Sequence, residues 1–94
     1  PTSATTSSDF ELRRAVLVWR RKEALAHADL KRFADAARLL ESASRDTDAL
    51  LGTAHAESIM TLRSWMKVAV VAGDEKRSAA LQQMLTTREK PPSI

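Results

Sequence analysis

The sequence predicts an all-α fold of four helices in two antiparallel hairpins. Three observations predict it. A helix–corner–helix phrase occurs twice, as ALAHADLKRFADAARLL from Ala24 to Leu40 and as VAVVAGDEKRSAAL from Val68 to Leu81. The 94 residues include only two glycines, three prolines and no tyrosine, so helix breakers and β-formers are scarce. Apolar residues also recur at helical spacing on both sides of short polar corners, which favours antiparallel neighbours.

Residues 1–8 are small, uncharged and rich in Ser and Thr, and they read as a disordered linker because they bury too little to offset ordering entropy. Ser8 stands three residues before Glu11, the spacing of a capping box, so the first helix is expected from Asp9 to about Ala28. On a wheel of about 100° per residue, Leu12, Ala15, Val16, Trp19 and Ala26 form one apolar stripe. Phe10, Leu17, Ala24 and Ala28 form a second on nearly the opposite side. A helix apolar on two sides is usually packed on two sides, so this one is expected at the centre of a bundle or against a neighbouring domain or subunit.

Asp29-Leu30-Lys31-Arg32 makes the first corner without a glycine. Phe33, Ala36, Ala37, Leu40 and Ala43 give the second helix its stripe, to about Ser44. Arg45-Asp46-Thr47-Asp48 reads as a polar connection, with Thr47 or Asp48 as the next cap. Gly52 either breaks the third helix early or is carried inside it at about 1 kcal/mol. The third helix is clearest from Ala54 to Ala72, with Ile59, Leu62, Met66 and Ala69 inward. Gly73 suits its C′ position, and Asp74 suits the cap of the fourth helix. Ala80, Leu81, Met84 and Leu85 form the last stripe before Pro91-Pro92. The helical hairpin domain is thus expected over residues 9–90, with a disordered tail at 91–94.

Composition excludes several classes of function. Without cysteine there are no disulfides or thiolate metal sites. The longest apolar run, Val68 to Ala72, is far short of the roughly 18 residues of a membrane span. No signal peptide is visible, and a cytoplasmic setting is expected. The net charge of +3 reflects 15 basic residues nearly balanced by 12 acidic ones, so nucleic acid is not compelled as a partner. A chain this short that opens on Pro1 is expected to be a piece of a longer protein.

No catalytic constellation is present. His27 and His55 lack a second strong ligand at helical metal spacing, so neither metal nor cofactor is expected. The carboxylates are scattered, and no Gly-rich phosphate loop or nucleophile motif occurs, so the chain is expected not to be an enzyme. The best surface feature is basic. Arg13, Arg20 and His27 are seven residues apart on one side of the first helix, and Arg63 and Lys67 would extend that surface if the first and third helices are adjacent. An acidic peptide or protein could dock there by charge pairing. Trp19 and Trp65 hold corresponding places in the two hairpins and either wedge between them or anchor a partner.

The segment from Ala24 to Ala43 resembles a tetratricopeptide-type hairpin. Phe33 takes the aromatic position before the second helix, Ala36 the early small residue and Ala43 the later one, and Gly73-Asp74 matches the usual corner. The first corner departs from the pattern by lacking glycine, the first helix by being about one residue too long, and the second copy by having Ser78 where alanine is usual; two hairpins also fall short of the three or more of a free-standing array. A second resemblance covers most of residues 9–88: Arg13-Arg14 through Leu40, with Gly73-Asp74, is similar to the helical tail after the von Willebrand A domain in some bacterial proteins. That resemblance implies a non-catalytic accessory segment of a larger protein, with the metal-adhesion site outside this chain.

These readings converge on a protein–protein interaction or assembly module. Arg13, Arg20, His27, Arg63, Lys67, Trp19 and Trp65 are the candidate partner-binding residues. The partner is expected to be another protein or another domain of the parent chain. The alternatives are a homo-oligomerisation domain, marked by a defined assembly, and a nucleic-acid-binding helical domain, marked by steep salt dependence.

Overall fold

The computed structural model describes residues 2–89, with side chains from Asp9 onward. It holds four helices: α1 (Thr2–Asp29), α2 (Phe33–Leu51), α3 (Ala56–Ala72) and α4 (Glu75–Glu89). The all-α class and the two hairpins are as the sequence predicts. Helix α1 is assigned from Thr2, so it does not begin at the Ser8–Glu11 box. The side chains of residues 1–8, expected as a linker, and the expected tail 91–94 lie outside the described residues.

Helix α2 runs seven residues beyond Ser44, and the stretch Arg45-Asp46-Thr47-Asp48 is helix rather than connection. Its polar residues serve lateral contacts, which is why they read as a loop: Thr47 is buried, and Asp46 and Asp48 bind arginines of other helices. Gly52 ends α2 at φ 94° and ψ 156°, a conformation closed to side chains with a Cβ. The buried hydroxyl of Ser58 donates to the Gly52 carbonyl at 2.6 Å. Neither Thr47 nor Asp48 caps α3. His55 does, its ring Nδ1 accepting from the Glu57 backbone N–H at 3.0 Å.

The two hairpin corners share one backbone motif. After α3, Gly73 is left-handed at φ 79°, its N–H donates to Val70 and the Asp74 N–H reaches back to Ala69. After α1, Lys31 takes the same place at φ 62°, its N–H donating to Ala28 and that of Arg32 to His27. Both are Schellman closures, and the first holds a lysine where glycine is unstrained. Replacing Lys31 by Gly is expected to raise stability by about 0.5–1 kcal/mol in denaturant titration, the relief of strain exceeding the added freedom of the unfolded chain. An unchanged or lower midpoint would contradict the strain at this corner. Asp74 caps α4 as expected, its Oδ1 accepting from the Arg77 N–H at 3.1 Å.

Each helix packs on its neighbour in the chain, and α1 also meets α3; α4 packs on α3 alone, and the backbones of α2 and α4 do not meet. The Cα extents are 50 × 43 × 13 Å. The thinnest dimension is about one helix cylinder plus one interhelix spacing, so the helices form a shallow zigzag. Leu17, Ala24, Ala36, Leu40, Ala43, Leu62, Trp65, Val68, Ala69, Leu81 and Leu85 are buried along its mid-line. Alanines at positions 24, 36, 43 and 69 let the helix backbones approach closely, and leucines fill between them.

Candidate functional site

Only one of the two apolar stripes of α1 faces the core. Leu17, Arg21 and Ala24 are buried and Ala28 is half-buried, so this side meets α2 and α3. Phe10 belongs to the same stripe but is exposed. Arg21 meets Glu57 in the first turn of α3, so α3 begins about three turns past Phe10 and gives it no cover. The other stripe is uncovered. Leu12, Ala15, Val16, Trp19 and Ala26 are all exposed, and Trp19 keeps 69% of its surface. Helix α1 is therefore not packed on two sides within the chain: it is the end of the zigzag, with Leu12 and Val16 bordering a groove shared with α2 and Ala15 and Trp19 in a recess lined by α1 residues alone.

The two tryptophans part company. Trp65 is 8% exposed, between α2 and α4, with the Arg77 guanidinium 5.4 Å from its ring centroid. It sits on α3, which has neighbours on both sides, whereas Trp19 sits on a terminal helix. The alternative of wedge or exposed anchor is thus met once each way: Trp65 wedges and Trp19 is exposed.

The basic candidates occupy three seams rather than one patch. Arg13 and Arg20 border an open groove of about 450 Å³ between α1 and α2, with Leu12, Val16, Leu17, Ala49 and Leu50 as its apolar wall. Lys67 lies on the seam of α1 and α3, beside Leu25, Ala28 and Val71. Arg63 lies on the seam of α3 and α4. His27 is half-buried in the last turn of α1, and its Nδ1 has no hydrogen-bond partner among the described residues.

Most of these cations are engaged. Arg13 pairs with Asp9 at 3.3 Å, Arg20 with Asp46 at 2.7 Å and Arg63 with Glu89 at 2.6 Å. Arg20 also donates to the Ser42 hydroxyl at 3.1 Å. The carboxylates on Arg20 and Arg63 stand 26 residues away in sequence, so no local spacing reveals them. Two less exposed ion pairs were not foreseen as features of the surface. Arg21 binds Glu57 at 2.8 Å, and Arg88 grips Asp48 through two parallel bonds of 2.9 and 2.8 Å. The second pair bridges α4 to α2, whose backbones stay apart.

What the arrangement offers chemically is an apolar strip with paired arginines on one flank and Glu11 and Lys22 on the other, suited to burying another apolar surface. Among the described residues, no group of three or more His, Asp or Glu could hold a metal ion, and no helix is long and apolar enough to cross a membrane. Comparison with known proteins gives no match: no family model, no curated protein and no solved structure matches this chain.

Proposed function

We propose that the chain is a non-catalytic protein-interaction or assembly module that docks through the outer face of α1. The observation that carries this reading is the contiguous exposed strip of Leu12, Val16 and Trp19, which runs from the rim of the α1–α2 groove onto the outer side of α1. Tryptophan is among the residue types most enriched at the energetic centres of interfaces, and here it is the largest and most exposed member of the strip. A tetratricopeptide-like hairpin pair would act in this way, because in such stacks each unit packs on its neighbours and an uncovered end invites another unit. Pairing of Arg13, Arg20 and Arg63 with carboxylates favours a protein partner over nucleic acid, since fewer free cations remain to displace counterions from phosphates.

Affinity capture from the source cells with the wild-type chain, Trp19→Glu and Met84→Glu tests the reading. A partner identified by mass spectrometry and then purified is expected to bind Trp19→Glu at least about 30-fold more weakly, the loss typical of a central interface anchor. Met84→Glu, on exposed surface of α4, should bind like wild type. Circular dichroism should show all three folded, because Trp19 and Met84 lie outside the buried core. Equal affinity of wild type and Trp19→Glu for that partner would sink the proposal.

A further inference from the structure

The strip on α1 has no counterpart at the other end of the zigzag. Helix α4 turns Lys76, Ala79, Gln83, Thr86 and Thr87 outward, away from Leu81 and Leu85, which face α3. A polar outer helix is what closes a helical stack. Head-to-tail stacking of copies would press α1 onto this polar face, so α4 does not suit the strip. A two-fold pairing does, because it sets the same surface against itself and closes the assembly.

We propose that the occupant of the outer face of α1 is a second copy of the chain, paired antiparallel through α1. This rests on reading that face as the docking surface and adds the identity of what docks. Charge placement sets the register. Glu11 and Lys22 lie on the same flank of the strip, both exposed, and neither forms an ion pair among the described residues. In an antiparallel two-fold pair each flank meets its own equivalent. With the axis midway between Val16 and Leu17, Glu11 faces Lys22 of the partner subunit, and Lys22 faces Glu11 of the partner subunit. The same register lays Trp19 over Leu12, Ala15 and Val16 of the partner subunit, and the small side chain of Ala15 leaves room for the indole. On the other flank Arg13 comes level with Arg20 of the partner subunit, but Asp9 and Asp46 neutralise these two within each chain.

The area fits a modest dimer. Leu12, Ala15, Val16 and Trp19 offer roughly 400 Å² of exposed surface per copy. Two copies then bury about 800 Å² through these residues, in the range of weak interfaces, which implies a dimer that forms reversibly with concentration.

Sedimentation equilibrium of the full chain over rising concentration is the test. A monomer–dimer equilibrium is expected, and Glu11→Lys or Lys22→Glu alone should weaken it about 10-fold by setting like charges opposite each other. The double reversal, Glu11→Lys with Lys22→Glu, should restore it. The chain has no cysteine, so Val16→Cys gives a clean second readout. Its two copies lie about 1.5 Å apart along the helix axis in this register and should form a covalent dimer on oxidation, whereas Met84→Cys should not. A monomer at every concentration, or a dimer indifferent to both charge reversals, overturns the proposal. The two readings fail separately: a monomer that still loses its captured partner on Trp19→Glu overturns self-pairing alone.

Discussion

Truncating Leu62 to alanine is expected to cost about 3 kcal/mol of stability and to lower the melting temperature by roughly 12–24 °C. Leu62 is fully buried at the middle of α3, the one helix that packs on all three others. Its removal deletes apolar contacts and leaves a cavity that neighbouring alanines at 24 and 36 are too small to fill. For a chain of this length the total stability is of order 5–14 kcal/mol, so one such substitution is a large fraction of it. Leu12→Ala is the matched control. The same chemical change on the exposed outer face of α1 should shift stability by less than about 0.5 kcal/mol. Urea titrations of both variants at a concentration that keeps the chain monomeric check the contrast, and near-equal losses would contradict the assignment of core and surface.

Replacing Arg88 by methionine is expected to cost about 1–3 kcal/mol. The guanidinium meets Asp48 through two bonds, with side chains 14% and 21% exposed. Methionine keeps much of the apolar stem but strands a largely covered carboxylate, and that desolvation dominates the loss. The residual exposure keeps the cost below that of a fully buried pair. Asp48→Asn combined with Arg88→Met should therefore recover part of the stability that Arg88→Met alone loses. A double-mutant cycle by chemical denaturation measures the coupling, and strictly additive losses would show that the fork contributes nothing. Surface pairs such as Asp35–Arg38, with both side chains about half exposed or more, should show almost none.

The number of helices and the second corner were legible because their signals are local. Gly73 and Asp74 carry a C′ glycine and an N-cap in adjacent positions, and both act as read. The end of α2 was not legible, because its polar residues are held by distant groups. Asp46 and Asp48 look like loop residues until Arg20 and Arg88 are brought beside them, 26 and 40 residues away. His55 was missed as a cap because imidazole is an unusual one, and only the ring orientation shows its nitrogen accepting from Glu57.

The candidate surface was legible in part for the same reason. The two apolar stripes of α1 follow from its sequence, yet which stripe the chain covers depends on where α2 and α3 settle. The basic residues appeared as one surface because Arg13 and Arg20 share a helix side and Arg63 and Lys67 lie one turn apart. Packing spreads them across three seams and gives most of them a carboxylate. Trp19 and Trp65 hold equivalent places in a repeated phrase, but a terminal helix and an internal one have different numbers of neighbours.

The neighbour-to-neighbour packing of the zigzag also bears on how the chain reaches its structure. Nearly every backbone pairing closes a short stretch of chain; only α1 with α3 skips a helix, apart from the side-chain fork of Arg88 and Asp48. Relative contact order is therefore low, and little loop-closure entropy is lost before contacts begin to compensate. Folding is expected on the microsecond-to-millisecond scale of helical bundles, with either hairpin able to form the first nucleus and the other growing onto it along α2 and α3.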